Sequence, residues 1–202
     1  TMRSAVLEAP GQPIHICDDV AIAEPGIGQV RVRVSHCGVC HSDLSVLNGT
    51  IPQPPPVILG HEGAGIITSV GEGVPGLAAG DHVIIAWSPP CGTCADCVDR
   101  KSPHLCQAFL FNMAIPKYTL DGVDVYGMAG AGTWAEETIM PWQGAIKIDD
   151  DVPFEVASLI GCAVMTGAGA VLNTARMEAG AAIAVVGLGG VGMNALFAAV
   201  AG

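Results

Sequence analysis

Basic residues are scarce in this sequence: its 202 residues hold 8 Lys and Arg against 19 Asp and Glu, a formal net charge of -11. Neutralising phosphates takes clustered Lys and Arg, so this balance weighs against nucleic acid and anionic membrane and favours a small-molecule partner. Aromatics make up only 4% of the chain, and the 50% hydrophobic content comes mostly from aliphatic side chains. That is enough for a substantial core in one or two domains, and it excludes a disordered chain. No basic segment precedes an apolar stretch at Thr1-Met2-Arg3-Ser4-Ala5, so no secretory signal is visible and a cytoplasmic location is expected. Internal repeats, charge blocks and low-complexity linkers are also missing. Charge vanishes altogether from 179–202, a length that spans a bilayer. Gly187-Leu188-Gly189-Gly190-Val191-Gly192 interrupts that stretch, and the run before it reads as a buried strand, so no membrane span is expected.

What is present falls into two halves. Up to about residue 150 the signals are for short strands. Val30, Val32 and Val34 alternate with polar partners, and 66–70 and 82–85 are apolar runs bounded by glycines. Gln53-Pro54-Pro55-Pro56 loses three backbone donors and predicts a stiff extended loop. From Phe154 the pattern becomes long Ala-rich apolar runs. Residues 155–175 are expected to be largely helical, broken or bent around 166–169, with a strand, a Gly-rich turn and a helix following.

Eight cysteines carry the chemistry. Cys91-x-x-Cys94-x-x-Cys97 followed by Cys106 packs four thiols tightly enough for a closed tetrahedral structural zinc. Disulfides fit poorly with the absence of an export signal, and a bacterial-type iron-sulfur run closes with a shorter last gap. Such a site would staple a lobe that has little apolar content of its own. Cys37-Gly38-Val39-Cys40-His41 is ambiguous by itself, because this string also serves c-type haem attachment and redox pairs. Gly60-His61-Glu62 and Gly161-Cys162 offer further ligand types downstream. At the far end, Ala184-Val185-Val186 leading into Gly187-x-Gly189-Gly190-x-Gly192 matches the strand and glycine turn of a dinucleotide fingerprint.

Taken in order, Cys-Gly-Val-Cys-His-Ser-Asp at 37–43, Gly-His-Glu-Gly at 60–63, Gly-Asp-His-Val at 80–83, the four-cysteine lobe, Gly-Cys at 161–162 and the glycine turn resemble the zinc-dependent medium-chain alcohol dehydrogenases. The resemblance spans essentially the whole chain. It implies an α/β protein overall: a mainly-β GroES-like catalytic domain over 1–163, then over 164–202 the first βα unit of a Rossmann domain, incomplete here. It implies Cys40, His61 and Cys162 as catalytic zinc ligands, Glu62 as a carboxylate that exchanges with solvent at the metal, and Cys37 as a small buried non-ligand. Two zinc ions per chain and NAD are the implied cofactors, with NADP not excluded.

The same resemblance implies that Ser42 passes the alcohol proton outward and that Asp43 orients the zinc-binding histidine. It places His41, Thr166, Gly187, Gly189, Gly190, Val191 and Gly192 at the cofactor and Trp87 on the substrate pocket, with Trp134 and 109–132 as possible completions of that pocket. Ser45 departs from the pattern, since many relatives carry a histidine there to end the proton relay. The expected activity is reversible oxidation of a small-molecule alcohol to an aldehyde or ketone by hydride transfer to NAD(P), in a homo-oligomer, a dimer by resemblance. One strand and one helix do not make a doubly wound sheet, so the 202 residues alone are expected to bind zinc but to turn over little substrate. The competing readings are a non-catalytic zinc-binding β module, a membrane-anchored zinc protein, and a polyol dehydrogenase of the same family.

Overall fold

Alternation of β-branched residues builds the sheets that carry the site. In the computed structural model, which describes residues 1–201, strand β3 (Gln29–Cys37) buries Val30 and Val32 completely and turns Arg31 and Arg33 the other way. Each fully buried valine contributes about 1.5–3 kcal/mol. β3 pairs antiparallel with β5 (Gly63–Val70) and β9 (Glu137–Pro141), β5 pairs with β6 (His82–Ile85), and β6 with β10 (Ala145–Lys147). This five-stranded sheet has the order β10-β6-β5-β3-β9. The three runs expected as strands at 30–34, 66–70 and 82–85 therefore lie in one sheet.

The other sheet is a closed barrel of β1 (Met2–Leu7), β2 (Ile14–Ile22), β7 (Tyr118–Leu120), β8 (Val123–Gly127) and β4 (Val57–Ile58). Its pairs are antiparallel except β4 with β8. Val6, Val20, Ile58 and Val125 fill it. The proline loop before β4 runs without regular structure, as expected, and the Pro55–Pro56 peptide is cis.

Residues 154–175 form one apolar helix, Phe154–Ala175, of 22 residues with a mean hydropathy of 1.7. By length and composition it is the one described helix able to cross a membrane, yet it lies against β3, β5 and β6 and against the final helix Gly190–Ala201. The expected break at 166–169 does not occur. That stretch is α-helical, and the distortions are instead π-turns at Ile160–Val164 and Ala170–Ala175, the first of which contains Cys162. An extra residue in a turn widens the helix without ending it, and such bulges recur at functional sites. The helix stops where Arg176 adopts the left-handed conformation, φ 50°.

The strand expected at 184–186 is also absent: 181–188 has no regular structure, and Val186 is 99% exposed. A strand is stabilised by a hydrogen-bonded neighbour, and none of the described strands pairs with this segment. The apolar stretch from 179 onward is accordingly not one continuous helix.

Candidate active site

Three elements converge on one group of ligands. β3 ends at Cys37, and Cys40 opens helix α1 (His41–Leu47), where the third helical residue, Asp43, reaches back so that its Oδ2 accepts the Cys40 N–H at 2.8 Å. His61 and Glu62 stand just before β5, after Gly60, whose φ of +88° and whose lack of a Cβ are both needed: an added Cβ would sit 2.3 Å from Trp134. Cys162 comes from the long helix. Gly161 lets that helix press onto β6, since a Cβ there would meet the Ile85 carbonyl oxygen at 2.4 Å.

The ligand atoms of Cys40, His61, Glu62 and Cys162 all lie within 4.8 Å of one another. Two thiols, an imidazole and a carboxylate so grouped suit a zinc ion, whose bonds to these donors are about 2.0–2.3 Å. Asp43 is buried behind them. Its Oδ1 accepts from Gly60 N–H at 3.1 Å and from His61 Nδ1 at 3.3 Å, which leaves His61 Nε2 as the atom free for a metal.

Charge at the cluster is poised for a cation. Burial pulls the His61 imidazole down, but hydrogen bonds and charge from Asp43 and Cys162 outweigh it and raise its pKa to about 10. Burial likewise opposes ionisation of Cys40, yet hydrogen bonds with Ser42 and the charge of His61 hold that thiol below its ordinary value. His61 draws Cys162 down too, but burial and the negative charge of Cys40 and Glu62 leave it raised. A divalent ion bound here would take the place of these shared protons.

The cluster sits between two cavities. The larger, about 680 Å³, is bounded by Cys40 and Glu62 on one side and on the other by the glycine turn, with Gly187, Gly189, Gly190, Val191 and Gly192 all in its wall and His41 at its edge. Thr166 is exposed on the long helix and is not among its lining residues. The smaller, about 250 Å³, is reached from Ser42, His61 and Cys162 and is walled by Trp87. Trp134 does not line it; its indole N–H points to the Gly38 carbonyl at 3.4 Å. The segment 109–132 does contribute, through Phe109, Met113, Met128 and Ala129. Cys37 takes no part in the metal cluster and meets Thr133 Oγ1 at 2.9 Å. Gln53, from the proline loop, also lines the smaller cavity, and no sequence signal marked it.

A second cluster joins Cys91, Cys94, Cys97 and Cys106, again with ligand atoms within 4.8 Å of one another. All eight cysteines are free, so no disulfide competes with metal binding. Hydrogen bonds from the Thr93 hydroxyl and from the Thr93 and Cys94 N–H groups onto Cys91 Sγ lower that thiol to about 6, favouring the thiolate a metal requires. Four thiol donors with no open position suit a structural ion.

Comparison with known proteins agrees with this geometry. Residues 26–150 match the model of the alcohol dehydrogenase GroES-like domain. S-(hydroxymethyl)glutathione dehydrogenase of Paracoccus denitrificans is 39% identical over 203 residues, covering 96% of this chain and 54% of that protein. Among solved structures, an alcohol dehydrogenase zinc-binding domain protein from Burkholderia ambifaria superposes with a TM-score of 0.91 at 34% identity, over 99% of this chain and 56% of the other. Benzyl alcohol dehydrogenase from Acinetobacter calcoaceticus gives 0.88 at 31% identity, over 99% and 55%. The chain spans about half the length of the curated relatives it matches. With its GroES-like segment matched over most of its length and its ligand residues gathered as the motifs imply, the chain belongs to the zinc-dependent medium-chain alcohol dehydrogenase family.

Proposed function

We propose that the protein carrying this chain oxidises an alcohol to an aldehyde or ketone, reversibly, with zinc at Cys40, His61, Glu62 and Cys162 and NAD or NADP in the larger cavity. The observation that carries the reading is the position of the four-ligand cluster between two cavities, one bounded by a glycine-rich turn and one by apolar side chains. Zinc bound there supplies Lewis-acid polarisation of the alcohol oxygen, and the nicotinamide supplies the hydride acceptor. The chain's own residues do the rest. Asp43 fixes the His61 tautomer and orientation. Ser42, whose hydroxyl lies 3.7 Å from Cys40 Sγ and faces the smaller cavity, takes the alcohol proton. Ser45 donates to the His41 carbonyl at 3.2 Å, so the relay beyond Ser42 passes through water, while His41 lies beside the cofactor.

The cluster of Cys91, Cys94, Cys97 and Cys106 holds the second zinc, which is structural. Residues 1–163 act as the GroES-like catalytic domain and 164–202, whose last residue lies outside the described ones, as the opening of a Rossmann domain whose glycine turn receives the cofactor pyrophosphate. The names of the relatives bring two alcohol types to this site, the hydroxymethyl adduct of glutathione and benzyl alcohol.

The test uses the full-length protein with an alcohol and NAD or NADP, following the reduced nicotinamide. Turnover is expected to disappear on chelation, to return with zinc, and to be lost in Cys162→Ser. Undiminished turnover in a Cys162→Ser variant that has lost that ion would refute the reading.

A further inference from the structure

The smaller cavity is walled mainly by apolar side chains. Of its nominally polar lining, His61 and Cys162 belong to the metal cluster, and Ser42 faces the reacting hydroxyl. Gln53 is spent on the protein itself: its carbonyl oxygen accepts the Ala129 N–H at 3.1 Å and its amide nitrogen donates to the Pro52 carbonyl at 3.1 Å. Lys117 is buried and is not among the residues that line the cavity. Its ammonium donates to the carbonyls of Gly130 and, at 2.6 Å, Ile139. No Lys or Arg lines the cavity among the described residues. A carboxylate drawn against these apolar walls would give up water and gain no cationic partner among the described residues, which costs free energy.

The apolar walls are also shaped. Phe109 stands edge-on to Trp87, ring centroids 5.9 Å apart and planes at 90°, so the two rings make a corner, with Met113 and Met128 beside it. A flat ring placed in such a corner meets one face and one edge, the arrangements aromatic pairs prefer, and thioethers adapt to its rim. The volume of about 250 Å³ lies below the roughly 300–1,000 Å³ typical of sites for drug-sized ligands. It is large enough for one ring and a carbinol.

Resting on the dehydrogenase reading above, we infer that the substrate is an uncharged alcohol whose only polar group is the reacting hydroxyl, preferentially a single aromatic ring bearing a carbinol, and that Phe109 is a specificity-determining residue. Alcohols carried on anionic peptides such as glutathione are rejected by this site.

Two measurements test this. Saturation-transfer NMR on the zinc-loaded 202-residue chain needs no cofactor. Benzyl alcohol is expected to receive saturation, glutathione not to, and the benzyl alcohol signal is expected to fall in Phe109→Ala and to recover in Phe109→Tyr. Equal transfer to both ligands, or none above glutathione, overturns the inference. In the full-length protein, kcat/KM for benzyl alcohol is expected to exceed that for S-(hydroxymethyl)glutathione by at least about 100-fold, and Phe109→Ala to reduce the ratio of benzyl alcohol to ethanol by roughly 10-fold, the scale of losing close apolar contacts in a pocket. Preference for the glutathione adduct overturns this inference and leaves the dehydrogenase reading standing. Failure to oxidise any alcohol while both metal sites are filled overturns the dehydrogenase reading itself.

Discussion

Replacing Asp43 by Asn isolates the residue that supports the metal cluster from behind. The carboxylate serves three donors: Cys40 N–H at 2.8 Å, Gly60 N–H at 3.1 Å and His61 Nδ1 at 3.3 Å. Asn keeps one carbonyl oxygen, which can stay with Gly60 and His61, and turns its amide against Cys40 N–H, donor against donor. One unsatisfied buried N–H costs about 1–3 kcal/mol. The lost charge acts on both occupants of the site. Asp43 favours a proton on His61, which is raised to about 10, and it favours a divalent ion more strongly because that ion carries twice the charge. Affinity at the catalytic site is therefore expected to fall about 10–100-fold, the range seen when carboxylates supporting ligand histidines are removed, equivalent to about 1.4–2.7 kcal/mol. The assay is competition with a chromophoric chelator on the zinc-loaded chain, resolving two metal classes. The class assigned to Cys91, Cys94, Cys97 and Cys106 is expected to keep its affinity. A uniform weakening of both classes, or none at the catalytic site, would show that Asp43 does not support the catalytic ion.

Three further substitutions probe the long helix, the four-cysteine lobe and Lys117. Gly161→Ala puts a Cβ 2.4 Å from the Ile85 carbonyl oxygen, so the long helix must move and carry Cys162 with it; loss of metal from the catalytic site alone is expected, since ligation tolerates only about 0.2 Å. Cys106→Ser removes one of four thiolates three residues before Phe109; metal analysis is expected to show loss of the structural ion, and hydrogen exchange to rise across 91–113 while the catalytic ion stays. Lys117 is pushed by burial from 10.5 down to about 7, so between those values the unfolded chain binds the extra proton and stability rises with pH. The carbonyls of Gly130 and Ile139 favour the ammonium and work against that shift, so the gain is at most about 4–5 kcal/mol. Denaturant titrations from pH 7 to 10 are expected to show this rise and to lose it in Lys117→Met; a parallel rise in the variant would contradict the assignment.

Much of this site was legible in the sequence because its chemistry is local. Cys91, Cys94, Cys97 and Cys106 lie in one short lobe, and the folded chain closes them as their spacing implied. Cys40, His61 and Cys162 were legible only through a family pattern, since nothing in the spacing of three distant residues says that a helix will press onto β6. The alternating valines of β3 were plain because period two survives any tertiary context that buries one face. The segment 184–186 misled for the complementary reason: its apolar run has strand composition, but pairing is supplied by neighbours, and none is present among the described residues. The π-turn around Cys162 left no mark either, because the composition that makes a good α-helix also permits a bulge. Phe109 and Met113 reach the pocket on the short helix Ala108–Met113 that follows the four-cysteine lobe, a long-range placement that no periodicity encodes.

Metal analysis of the purified chain beside two variants decides whether one chain holds two zinc ions for different purposes. Two zincs per chain are expected, with one in Cys40→Ser and one in Cys97→Ser, and cobalt substitution is expected to give a thiolate-rich tetrahedral spectrum that each variant diminishes separately. A single zinc in the unaltered chain that survives Cys40→Ser would contradict it.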